Sequence, residues 1–143
     1  MNKGKTGRLG PQAGVTILEV LIVLTIIALI SAVAGPRLIG YLGRAKSETA
    51  QLQIDGIGSA LQLFYIDLGR YPTDAEGLTA LRAAPPGAAD WAGPYLATED
   101  ALTDPWGRAY LYAEPEGGGE PAVSSLGRDG ARGGSGEDAD LTR

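Results

Sequence analysis

Two groups of acidic residues in this 143-residue chain are candidates for chemistry. The first is a single carboxylate, Glu19, set in the apolar run Val15–Gly35, VTILEVLIVLTIIALISAVAG. A charge in so apolar a stretch costs about 2.5–3.5 kcal/mol on membrane-insertion scales, so it calls for a partner or a task. The second is the C-terminal stretch SLGRDGARGGSGEDADL, residues 125–141, where Asp129, Asp138 and Asp140 are mixed with glycine. Carboxylates beside a glycine-rich loop that can turn carbonyls inward are the ingredients of a calcium site. The same composition also suits a disordered acidic tail, and the spacing of an EF-hand is absent. The chain has no His and no Cys. The commonest general base, thiol nucleophiles, disulfides and Cys-type zinc sites are therefore excluded, and any metal must be held by oxygen.

Other constellations carry little. The remaining Asp and Glu residues form no recognisable acid–base pair, and the glycines at 117–119 and 133–136 lack the Lys-Ser/Thr of a phosphate-binding loop. Trp91 and Trp106 read as packing residues. A net charge of −5 argues against a nucleic-acid surface. The chain is expected to be a structural protein and not an enzyme.

The elements that hold these residues follow from hydropathy. Val15–Gly35 is apolar all round, and as a helix it would span roughly 30 Å, the thickness of the hydrocarbon core. Residues 1–14 carry Lys3, Lys5 and Arg8 and no acid, a bias that keeps the N-terminus cytoplasmic. Two cuts are possible. Ala32-Val33-Ala34 is an A-x-A site whose use would release a soluble, secreted calcium-binding module. A cut at Gly14–Val15 would instead keep the apolar run. Glu19 within the run, and Pro36 just beyond the Ala34 site, favour the second.

The segment Gly14-Val15-Thr16-Ile17-Leu18-Glu19 resembles the processing motif of the type IV pilin and pseudopilin family. The resemblance implies that a prepilin peptidase cuts after Gly14 and N-methylates Val15. It implies that Glu19, fifth in the mature chain, meets the N-terminal ammonium of a neighbouring subunit, each offsetting the other's buried charge. Thr16 and Pro36 are carried over as further assembly positions. Val15 stands where the family usually has Phe or Met.

Beyond Pro36, Leu38, Leu42, Ala45, Leu52, Ile54, Ile57, Leu61, Phe64 and Leu68 recur mostly at three- and four-residue steps, which predicts one apolar stripe on a helix. Arg44 and Glu48 read as an i,i+4 pair, and Gly56 and Gly58 as weak points. Gly69 and Pro72 would end the helix, giving a single helix of roughly 80 Å from Val15. A short helix through Arg82, capped by Thr73 or Asp74, should come next, then an irregular loop over 88–102 pinned by Trp91, Tyr95 and Leu96. Asp104–Gly107 reads as a turn, and 109–112 and 122–126 as strands of a small antiparallel sheet of two or three strands.

The motifs GRYPT (69–73) and DPWG (104–107), with the Gly-Asp-rich end, resemble the major pseudopilins of type II secretion systems in particular. That resemblance implies a pilin-like α+β fold, a long N-terminal helix on a small antiparallel sheet with a calcium-binding C-terminal loop. The division would be leader 1–14, membrane and filament-core helix 15–36, amphipathic helix 37–68 and periplasmic head 69–143. It further implies Ca2+ held by Asp129 and Asp140, with Asp138 standing in for a third acid and the Leu126 and Ala131 carbonyls as candidates. The implied partners are other copies of the chain, the prepilin peptidase, an inner-membrane secretion platform and minor pseudopilins. The implied location is the bacterial inner membrane, single-pass, with a periplasmic head. A type IV pilin of a surface fibre is the alternative, disfavoured because such heads commonly carry a disulfide.

Overall fold

The structure, a computed structural model, describes residues 15–115, 117 and 119–143, with Pro36 and Ile39 described in backbone only. The expected leader, including Gly14, lies outside the described residues. The chain divides into two compact units, Met1–Ile39 and Gly40–Arg143.

In the first unit, helix α1 (Ile17–Leu68) begins two residues later than expected and runs on through position 36. It is long and apolar enough to cross a membrane. Leu21, Leu24, Ile26 and Ile30 are each more than half exposed. No polar face separates them, as expected for a helix built for lipid or for other helices rather than for a core of its own.

In the second unit the remainder of α1 carries a core. Ile54, Ile57, Leu61 and Phe64 are buried against Leu78 and Leu81, Tyr110 and Val123. The single stripe read from the sequence is thereby corrected. Leu42 and Leu52 are 66% and 72% exposed, and Leu38 and Ala45 are exposed too, whereas Ala50 and Ala60 are buried. Three-and-four spacing is satisfied by two faces of this helix, and only one meets the head. Arg44 does not pair with Glu48 but lies over the Tyr41 ring at 4.8 Å. Gly58 is no mere weak point, since a Cβ there would overlap the Arg143 guanidinium that donates to the Asp55 carbonyl.

The sheet contains β1 (Leu111–Ala113), β2 (Ala122–Ser125) and β3 (Leu141–Thr142), antiparallel in that order. Leu111 pairs with Ser124, and Ser125 with Leu141. The expected helix after GRYPT is instead a turn and then the 3-10 helix η1 (Gly77–Leu81), and the irregular loop contains a second, η2 (Glu99–Leu102). Trp91 and Tyr95 pin that loop: the indole donates to the Ala80 carbonyl at 2.9 Å and the phenol to Asp67 at 2.7 Å.

Candidate functional site

The N-terminal site begins with Thr16. Its hydroxyl accepts the Glu19 N–H at 3.2 Å, and its carbonyl accepts the Val20 N–H. Thr16 is thus the N-cap of α1, and Glu19 sits in the first turn. A carboxylate there is favoured by the unpaired N–H groups of the helix start. Thr16 and Glu19 have the T-x-x-E spacing of a capping box. Glu19 and Val15 are both exposed, open to a group from outside the chain.

A second T-x-x-E organises the GRYPT segment. The Thr73 hydroxyl accepts the Glu76 N–H at 3.3 Å, and Glu76 Oε2 accepts the Thr73 N–H at 2.9 Å. Arg70 then clamps the same carboxylate through both Nη atoms, at 2.6 and 2.8 Å. The Arg70 hydrogen bonds, together with the weaker pull of the Thr73 amide, bring the Glu76 carboxyl down to about 2. Gly69 turns the chain at φ +69, Tyr71 stacks on Tyr65 at 4.8 Å, and the buried Pro72 offers its carbonyl to the Tyr112 hydroxyl at 2.6 Å. The motif thus fastens the end of α1 to η1 and to the sheet.

DPWG is a second joint. Asp104 is buried; its Oδ1 accepts the amides of Trp106 and Arg108, and its Oδ2 the Ser125 hydroxyl at 2.7 Å. A buried carboxylate is tolerable because these donors surround it. The Trp106 indole N–H reaches out to Glu137 Oε1 at 3.1 Å.

The C-terminal loop is folded. It leaves β2 at Ser125, passes through the 3-10 helix η3 (Gly136–Asp138) and enters β3. Asp129 Oδ1 accepts the Ala131 N–H and Asp140 Oδ2 the Gly133 N–H, each at 3.0 Å. The two carboxylates therefore hold amides of one short stretch, residues 131–133, and both residues are exposed. Gly127 has φ +65, and a Cβ on it would lie 2.7 and 2.8 Å from the carbonyl oxygens of Ala139 and Glu137. Main-chain oxygens thus crowd this end of the loop, which suits a hard cation with oxygen ligands. Leu126 and Ala131 lie on the same loop. Among the described residues no three acidic side chains converge as a metal cluster would.

Asp138, the third acid expected in the set, is engaged within the chain. Both its oxygens are taken by Arg128, from Nε at 2.8 Å and Nη2 at 2.9 Å. Glu137, not singled out in the sequence, is a hub: it binds Trp106, takes Arg128 Nη1 at 3.3 Å and lies against Gly43 of α1. Nothing local in EDAD distinguishes these roles, because the partners lie nine or more residues away.

Comparison with known proteins agrees across the chain. The profile of the family "Type II secretion system (T2SS), protein G" matches residues 37–143, and that of the "Prokaryotic N-terminal methylation motif" matches residues 10–35. The type II secretion system core protein G of Xanthomonas campestris pv. campestris is 35% identical, over 91% of this chain and 88% of that protein. Those of Pseudomonas aeruginosa and Vibrio cholerae are 34% and 35% identical, over 91% of this chain and 93% and 90% of theirs. The crystal structure of the major pseudopilin from the type 2 secretion system of enterohaemorrhagic Escherichia coli superposes with a TM-score of 0.58. It is 25% identical and covers 76% of this chain and 94% of that one.

Proposed function

The chain belongs to the type II secretion system protein G family, the major pseudopilins, and we propose that it is the main subunit of a periplasmic filament that drives export of folded proteins. The observation that carries this reading is the order of parts in one chain: a methylation motif, an apolar helix with Glu19 in its first turn, and a protein G head. Its work is assembly, with no catalytic step.

Subunits wait in the inner membrane with the N-terminus cytoplasmic and the head periplasmic, an orientation supported by Lys3, Lys5 and Arg8. Prepilin peptidase cuts after Gly14 and methylates Val15. Glu19, already favoured by the start of α1, accepts the ammonium of a neighbour as that subunit enters the apolar bundle, where unpaired charges are costly. Minor pseudopilins and the inner-membrane platform are the further partners. The loop takes Ca2+ through Asp129 and Asp140, with the Leu126 and Ala131 carbonyls as further oxygens. When bound, Ca2+ would supply positive charge to those carboxylates and carbonyls. Asp138 is left out of this set because Arg128 holds it.

N-terminal sequencing and mass spectrometry of the membrane-extracted protein test the processing. N-methyl-Val15 is expected; a mature chain starting at Gly35 would overturn the reading.

A further inference from the structure

We propose that Arg128 is a built-in cation that braces the C-terminal loop without a metal, so that the head stays closed when calcium is scarce and Asp138 serves the brace and not the ion. The statement about Asp138 and calcium rests on the calcium reading above; the brace itself does not.

The geometry is a closed clamp. The Arg128 N–H donates to the Glu137 carbonyl at 2.8 Å, and its guanidinium spans the carboxylates of Glu137 and Asp138. Nε and Nη2 bond the two oxygens of Asp138, while Nη1 reaches Glu137 Oε2. A planar fork on both oxygens of one carboxylate is stronger and more directional than a lone ion pair, so the usual discount for exposed pairs applies less. Glu137 carries the clamp inward, to the Trp106 indole and to the surface of α1 at Gly43.

The loop needs such a tie. Between Arg128 and Asp138 lie Gly130, Gly133, Gly134 and Gly136, all at positive φ. Glycine loses more conformational freedom on ordering than any other residue, so closing a loop this rich in it carries an entropy cost that a link between its ends offsets. The clamp joins those ends directly. Asp129 and Asp140 take no part in it and hold the 131–133 amides instead.

The test is hydrogen exchange by mass spectrometry on the full-length protein in detergent micelles, in chelator and then in calcium. In chelator, Arg128→Gln and Asp138→Asn should each speed exchange of peptides covering 126–140 by about tenfold, the scale of a lost charge-assisted fork. The double variant should be no faster than Arg128→Gln alone, because that change already removes the Asp138 link together with the Glu137 one. Arg128→Lys, which keeps the charge but not the fork, should fall between. Amides of Ile54–Leu61 serve as the internal control for an intact core. Loop exchange in Arg128→Gln at the wild-type rate, or fully additive effects in the double variant, overturns the brace. Calcium should slow the loop in wild type and in Asp138→Asn alike; protection lost only in Asp138→Asn would make Asp138 a ligand and overturn its assignment to the brace. If calcium slows exchange in none of the proteins, the calcium reading fails, and the chelator comparison still decides the brace.

Discussion

The Trp106 indole N–H donates to Glu137 Oε1 at 3.1 Å, joining the DPWG turn to the acidic loop thirty-one residues later. Replacing Trp106 by Phe keeps an aromatic ring and removes the donor. Thermal unfolding of the full-length protein should show a loss of about 1 kcal/mol. Loop amides near Glu137 should exchange faster while those of Ile54–Leu61 stay protected.

Asp104→Ala should be the most damaging head substitution. It strips the acceptor from two amides and the Ser125 hydroxyl in a buried place. A loss of about 3 kcal/mol or more is expected by urea unfolding, since buried donors would be left unmatched. Ser125→Ala should cost less, because Asp104 keeps its two amide donors.

Glu76 makes stability depend on acid. Its carboxyl titrates near 2 in the folded head against 4.5 ordinarily. A depressed folded pKa means that the contribution is fully present above about pH 4.5 and is lost as pH falls towards 2. Arg70 is partly exposed, so the contribution is about 1 kcal/mol after allowance for solvent screening. Glu76→Gln should lower the melting temperature at pH 7, and its gap from wild type should close between pH 4.5 and 2.

Glu19→Ala should leave cleavage after Gly14 largely intact and abolish filaments seen by electron microscopy. Thr16→Ala separates the local role from the intermolecular one. It removes the cap at a cost of about 1 kcal/mol to the helix start and keeps the carboxylate, so filaments should persist. Loss of filaments in both variants would point to the helix start rather than to charge pairing.

Asp140→Ala should weaken the rise in melting temperature produced by calcium. At a hundredfold excess over its dissociation constant, a ligand that binds only the folded state adds about 2.7 kcal/mol. Calorimetry with and without chelator measures this, and an identical response in wild type and variant would remove Asp140 from the site.

Local spacing and composition alone determined a good deal of this protein. The run Val15–Gly35, charged only at Glu19, dictates a membrane-length helix, because a helix can satisfy its own backbone in lipid. The motif at 14–19, GRYPT and DPWG pointed to the family, and Gly69, Pro72 and the 104–107 turn fell where their conformational preferences put them. Two T-x-x-E spacings also carry their contacts within one turn, one bond at Thr16 and a reciprocal pair at Thr73. What only the tertiary structure decided concerns choices between equivalents. Leu52 and Ile54 both fit the helical period, yet the sheet and η1 bury Ile54 and leave Leu52 exposed. Glu137, Asp138 and Asp140 look alike in EDAD, yet one bonds Trp106, one is clamped by Arg128 and one holds the Gly133 amide. A carboxylate's role is set by which donor the fold brings within about 3 Å, and the closure of a loop on distant partners has no periodic trace in the chain.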